Sequence, residues 1–268
     1  MALTFDFDAY APAQIAARVD TVGVNKARLP VFKMLMLGIL AGAFIGLGAL
    51  YFVLVKSDPA FGYAAGQLVG GLVFSLGLLL VVVAGAELFT GNNLLAMAWA
   101  HGRISTAEIL KNWLVVCFGN FIGATGLAVL VYWSGHTGFN DGAIANTYIA
   151  IAKAKVSIPF AEAFFRGVLC NVLVCLAVWM AFAGHSVTDK AVAIVLPISG
   201  FVAAGFEHCV ANMYFLPMGM LLAPEAGIDA AGYLRNMVPV ILGNLVGGSG
   251  LVGLVYYVIY VRESKEST

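Results

Sequence analysis

An all-α membrane protein is the fold class this chain predicts, and three observations carry it. Apolar residues make up 62% of its 268 positions and charged residues only 10%. Several uncharged stretches exceed the roughly 20 residues that a helix needs to cross hydrocarbon. Those runs also lack the strict alternation of polar and apolar residues that strands show. A single soluble core could not hide so much apolar surface. The formal net charge of zero says nothing about partners, because a membrane segregates charges by side. Membrane lipid is the expected surround, and no nucleic-acid partner is expected.

The elements follow in order. Residues 1–29 carry Asp6, Asp8, Arg18, Asp20, Lys26 and Arg28 without the basic start, short apolar core and small-residue cleavage site of a signal peptide. Ile15, Val19 and Val22 fall there at helical spacing, so an amphipathic helix along the membrane surface and a partly ordered leader are both open readings. Six apolar regions come next, at about 30–55, 62–100, 106–134, 160–183, 190–222 and 236–261. They form one domain over 30–261, followed by a short tail, 262–268. Ser105 with Glu108 predicts a capping box at the third start, and Ser57-Asp58-Pro59 predicts a turn.

The second and fifth regions are too long. Each would run roughly 50 Å as one helix against a hydrocarbon core of about 30 Å. Each also carries the same polar pattern near its middle: Gly85-Ala86-Glu87 with Asn92, and Gly205-Phe206-Glu207 with Asn212. Both regions therefore read as two half-helices joined near the midplane, where hydroxyls and amides rescue unpaired backbone groups. Gly119-Asn120 with Gly123 and Gly243-Asn244 with Gly247 match in the following helices. Three spans followed by three similar ones predict an inverted 3+3 repeat, about 30–134 and 160–261. The glycines of these helices, Gly42, Gly46, Gly70 and Gly71 among them, read as close-packing residues.

Basic residues orient the chain. Arg18, Lys26, Arg28, Lys33, Arg103, Lys111, Lys190, Arg262 and Lys265 fall on one side. Lys56, Lys153, Lys155, Arg166 and Arg235 fall on the other. The first side is expected to be cytoplasmic, with both termini inside. Lys153 and Lys155 lie in a stretch, Ala150–Pro159, read as an outer loop; an electropositive vestibule and interfacial snorkelling are both open there.

His208 is the sharpest single residue, because an imidazole at a mid-membrane break can donate to an anion or lend it a proton. Glu87 and Glu207 read as braces that accept from backbone N–H groups near a positive helix end, with Asn92 and Asn212 beside them. For Asn171, interhelical bonding and pore lining are equally open. Cys117, Cys170, Cys175 and Cys209 lie in apolar segments without a CxxC pair, so neither a disulfide framework nor a metal site is expected. No cofactor is expected either: HExxH is absent, and His101, His136 and His185 all fall in loops, away from any facing axial position for haem.

Glu87-Leu88-Phe89-Thr90-Gly91, Lys155 ahead of the fourth helix, Cys170 through Trp179, and Gly205-Phe206-Glu207-His208-Cys209-Val210-Ala211-Asn212-Met213 resemble the signatures of the formate/nitrite transporter family, from about Arg18 to Arg262. Leu196-Pro197 and Tyr214-Phe215-Leu216-Pro217-Met218-Gly219 look most like its formate channel branch. The resemblance implies an aquaporin-like protomer, a homopentamer with one pore in each protomer, and an N-terminal helix at the cytoplasmic mouth. It implies a transporter rather than an enzyme, placed as a multi-pass protein in the bacterial inner membrane. By the same resemblance, Phe74, Leu78, Leu88, Phe89, Val174 and Phe201 line two apolar constrictions, without assignment of each to its ring. Thr90 and His208 lie between the rings, and Lys155 with Asn171 lies on the outer approach. The implied activity is passive, pH-dependent passage of formate, with nitrite and hydrosulfide as alternatives inside the family. A neutral-solute pore is the alternative outside it, although the paired Asn-Pro-Ala motifs of aquaporins are missing.

Overall fold

A computed structural model describes residues 8–262; Asp6, Lys265 and the tail beyond Arg262 lie outside the described residues. Among the described residues every regular element is helical. Helix α1 is Pro12–Ala27 and α2 is Val31–Lys56. Helix α3 is Pro59–Gly85, and after a break the chain re-enters helix as a tight turn, Gly91–Leu94, leading into α4, Leu95–Ala100. Helix α5 is Thr106–Trp133, α6 is Ala143–Val156 and α7 is Phe160–Ala181. Helix α8, Val187–Ala203, and α9, Cys209–Leu222, flank the second break. Helix α10 is Ala230–Arg262, α-helical as far as Leu245 and then wound mostly in wider π turns.

Helices α2, α3, α5, α7 and α10 are each long and apolar enough to cross a membrane. Their outward faces carry side chains such as Phe32, Leu114 and Trp133, each more than 70% exposed. In water such a surface would aggregate; in a bilayer it is the solvated face. The starts are locally encoded. Glu108 N donates to Ser105 Oγ and Ser105 N to Glu108 Oε2, closing the predicted capping box. Asp58 Oδ1 accepts from Ala60 N in the predicted turn. Asp229 Oδ1 accepts from Gly232 N at 2.7 Å, which starts α10 six residues before the apolar pattern does.

Close helix packing rests on missing Cβ atoms. A Cβ on Gly123 would overlap the Ile39 carbonyl oxygen, and one on Gly247 the Val168 carbonyl oxygen. Backbone cannot yield as a side chain can, so Gly123→Ala is expected to cost about 1–3 kcal/mol by overpacking. A fall in melting temperature of the detergent-solubilised protein would register it, and an unchanged melting temperature would contradict the packing account.

Two expectations are corrected here. The Ala150–Pro159 stretch is not a loop: α6 covers most of it, because Ile144, Tyr148 and Ala152, at spacings of four, are buried on one face. Tyr148 and Tyr214 of α9 also share a hydroxyl–hydroxyl hydrogen bond of 2.7 Å. Helix α1 does form, but its apolar face packs on protein instead of lying along lipid. Ile15, Ala16 and Val19 cluster with Leu94, Met97 and Trp179, and Val24 and Ala27 with Leu95 and Ala98. Buried Asp20 of α1 accepts from Arg103 at 2.6 Å and pairs with His101 at 3.0 Å, which pins the helix to the turn after α4.

Candidate functional site

Each break begins at a glycine in the left-handed region, Gly85 at φ +88° and Gly205 at φ +71°, where a Cβ would be strained. A chain leaving helix inside hydrocarbon exposes backbone groups that water cannot reach, so they must be satisfied by protein. In the first break Asn120 does this: its Oδ1 accepts from Phe89 N at 2.9 Å and its Nδ2 donates to Glu87 O and Gly38 O. In the second, Asn244 Oδ1 accepts from Cys209 N at 3.0 Å and its Nδ2 donates to Glu207 O and Gly167 O.

The carboxylates sit in matching cages. Lys26 Nζ donates to Glu87 Oε1 at 2.7 Å, Asn92 Nδ2 to Glu87 Oε2 at 2.6 Å and to Asn112 Oδ1, and Asn112 Nδ2 to Lys26 O. Lys155 Nζ donates to Glu207 Oε1 at 2.8 Å, Asn212 Nδ2 to Glu207 Oε2 at 2.7 Å and to Asn236 Oδ1, and Asn236 Nδ2 to Lys155 O. The duplicated pattern draws in α1 and α6, each contributing its lysine. The cages differ at two points: Lys26 also donates to Asn92 Oδ1 at 3.1 Å, whereas Asn212 Oδ1 has no partner among the described residues, and Asn236 Nδ2 also donates to Glu207 Oε2 at 3.4 Å.

Two cavities open at these cages. One, of about 370 Å³, is lined by Lys26, Glu87, Asn92, Leu78, Leu88 and Lys190 among others; it lies on the α1 side. The other, of about 310 Å³, is lined by Lys155, Arg166, Glu207, Asn212, Phe74, Phe201 and His208 among others; it lies on the α6 side. The apolar residues thus divide between them, leucines with Lys26 and phenylalanines with Lys155. Phe74 and Phe201 meet edge to face, with ring centroids 5.8 Å apart. Phe89 and Val174 line neither cavity and belong to the packed core.

His208 joins the two breaks. It precedes α9 in extended conformation, and its Nδ1 accepts from Ala211 N at 3.1 Å, capping the helix. An acceptor Nδ1 carries no proton, so the neutral ring bears its hydrogen on Nε2, assigned from this bond. Nε2 therefore donates to Thr90 Oγ1, 2.9 Å away. The threonine hydroxyl hydrogen is left to point at another acceptor. Protonating Nδ1 would break the cap and put a cation at the positive end of α9. The ring stacks on Phe201 at 5.8 Å.

Asn171 is corrected from its expected place on the approach beside Lys155. It is fully buried and lines neither cavity, because its Nδ2 bridges Thr90 O, Asn93 Oδ1 and Asn244 O. Lys155 is not a free cation on an outer loop: it is ion-paired to Glu207 and sits 5.7 Å from the Phe215 ring centroid. Sequence reasoning passed over Lys26, Asn112 and Asn236 as site residues. A signal was present: Asn112 and Asn236 each stand eight residues before the Asn of the matching Gly-Asn pairs.

Two apolar-walled cavities at the helix breaks of a multi-pass helical protein, one of them lined by a histidine hydrogen-bonded to the other break, are features of a membrane transporter. The model of the formate/nitrite transporter family matches residues 13–258. The chain belongs to that family. It is 40% identical to the formate channel FocA of Haemophilus influenzae over 92% of this chain and 93% of that one. It is 41% identical to the formate channel FocA of Escherichia coli K12, over 96% and 97%. Among solved structures, it superposes on a pentameric formate channel with formate bound with a TM-score of 0.81 and 38% identity, covering 86% of this chain and 98% of that one. An FNT family ion channel matches with a TM-score of 0.82 and 32% identity, covering 92% and 98%.

Proposed function

We propose that the chain is a passive, pH-dependent formate channel of the bacterial inner membrane, with both termini cytoplasmic. The observation that carries this reading is the His208 Nε2–Thr90 Oγ1 pair, with His208 lining the cavity that Phe74 and Phe201 bound; in this reading the pair separates that cavity from the one bounded by Leu78 and Leu88. Helices α3 with α4, and α8 with α9, would each serve as one crossing built of two half-helices, which brings the crossings to six in an aquaporin-like protomer. The duplicated cages support inverted repeat units of 12–133 and 143–262, longer than the sequence alone predicts. Similarity to a pentameric formate channel supports a homopentamer with a pore in each protomer.

A bare monovalent anion crossing an apolar ring loses its water at a cost of several kcal/mol. In this reading the anion enters a hydrated cavity and accepts a hydrogen bond from Thr90 Oγ1 or His208 Nε2 in place of lost water. It takes up a proton from the water of that cavity, crosses the ring as the neutral acid, and releases the proton beyond it. Flux then follows the concentration and proton gradients, and it rises as pH falls toward the carboxylate range. Glu87 and Glu207 hold the breaks, and Phe89, Val174 and Asn171 back the constrictions from the core.

Thr90→Val keeps the shape and removes the hydroxyl, so it is expected to cut formate flux about tenfold in proteoliposomes while protein yield stays constant. Flux unchanged by Thr90→Val would remove the pair from the pathway. The substrate itself is tested by competing formate, nitrite and hydrosulfide on the purified protein. Preference for either of the latter would reassign the channel within its family. Passage of glycerol or water with exclusion of all three anions would make it a neutral-solute pore.

A further inference from the structure

The charges lining the two cavities are not equivalent. On the α1 side they are Lys26, Glu87 and Lys190; on the α6 side they are Lys155, Arg166 and Glu207. Lys26 and Lys155 are each locked to a carboxylate, at 2.7 and 2.8 Å. Seen from outside its cavity, such a pair is a dipole whose field dies faster with distance than that of a lone charge. Arg166 is also neutralised, by Glu162 at 2.9 Å. Lys190 is the exception: it forms no ion pair among the described residues. Its neighbour Asp189 turns Oδ2 to the backbone amides of His185 and Ser186, at 3.0 and 2.9 Å, to cap α8.

We propose that half-buried Lys190, and neither of the lysines at the cavity floors, makes the α1-side mouth attract anions, so that the channel captures its substrate more readily at that mouth than at the other. Low-dielectric walls around a charged cleft focus its field and raise the local concentration of counter-ions. Lys26 and Lys155 act at shorter range, holding the breaks in register through Glu87 and Glu207. The mouths of a duplicated protein thereby acquire different affinities for the same ion. The inference rests on the channel reading for its use, but the potential itself is measurable without transport.

The test places a reporter thiol in each cavity of the detergent-solubilised protein: Val22→Cys on the α1 side and Gln67→Cys on the α6 side, both at lining positions. The parent chain serves as blank for the native thiols. Each is modified with an anionic sulfonatoethyl and a cationic trimethylammonioethyl methanethiosulfonate, and the ratio of the two rates reports the local potential. At low ionic strength Lys190→Met should lower the anionic-to-cationic ratio at Val22→Cys about fivefold, as expected for one charge several ångströms away acting oppositely on the two reagents. The shift should shrink at about 0.5 M salt, and the ratio at Gln67→Cys should stay the same. Lys190→Glu should move the Val22→Cys ratio further in the same direction. An unchanged ratio at Val22→Cys, or an equal change at Gln67→Cys, would overturn the proposal. In proteoliposomes Lys190→Met should raise the half-saturating formate concentration for entry at the α1 side more than it lowers maximal flux. A wild-type protein that passes no formate would defeat the channel reading, while the labelling ratios would still decide the role of Lys190.

Discussion

His208→Phe is expected to reduce formate flux in proteoliposomes at least tenfold while the assembly still forms. Phenylalanine fills the space and keeps the stack on Phe201, whose ring lies 5.8 Å from the imidazole. It removes two polar functions at once. Nδ1 no longer accepts from Ala211 N, which costs α9 its cap and about 1 kcal/mol of stability. Nε2 no longer donates to Thr90 Oγ1, which leaves a buried hydroxyl oxygen without its donor and the pathway without its imidazole N–H. A tenfold fall in rate corresponds to a barrier raised by about 1.4 kcal/mol, within the range of about 1–3 kcal/mol that an unpaired buried polar group costs. His208→Asn is the companion variant: its side-chain oxygen can accept from the same backbone amide, so it should restore the cap and hence melting temperature without restoring flux. Equal flux and equal pH dependence in His208→Phe and the parent would remove histidine from the mechanism.

Glu207→Ala is expected to be the most destabilising single change at the site. It strands the Lys155 ammonium, 14% exposed at its side chain, and releases Asn212 and Asn236 from their common acceptor. Removing one partner of a buried ion pair typically costs about 3–5 kcal/mol, because the other charge is left uncompensated. Lys155→Ala should cost a similar amount, since Glu207 then lacks its cation. The double variant should recover part of the loss, and that recovery, read from thermal unfolding of the solubilised protein, separates a paired brace from two independent contributions. Purely additive losses would mean that the lysine and glutamate act separately. The cages also explain why Lys155→Ala is a poor test of long-range attraction: it changes the fold of the break before it changes the field.

Much of this was legible in the residues. The membrane class followed from apolar fraction and run length, and the family from motifs around Glu87, Lys155, Cys170 and Glu207. Helix starts with local signals, such as Ser105 with Glu108, were readable because cap and acceptor are three residues apart. Helix α6 was missed because only Ile144, Tyr148 and Ala152 of its residues are buried, and lysines and turn residues surround them. The early start of α10 was missed because Asp229 caps a stretch whose Tyr, Arg and Asn residues break the apolar pattern. The role of Asn171 stayed open because bridging between helices and pore lining call for the same residue type at the same depth.

By itself the sequence determined that this is a multi-pass helical protein of one transporter family, with a Gly-x-Glu and later Asn pattern in each half. Those properties are written in composition and short-range spacing, which no folding event alters. The tertiary structure alone decided which charges cancel, which nitrogen of His208 carries hydrogen, and which apolar residues share a cavity. The contacts responsible join Lys26 to Glu87, Lys155 to Glu207 and Thr90 to His208, residues 61, 52 and 118 positions apart. At such separations the chain itself holds no record of the pairing until the helices pack.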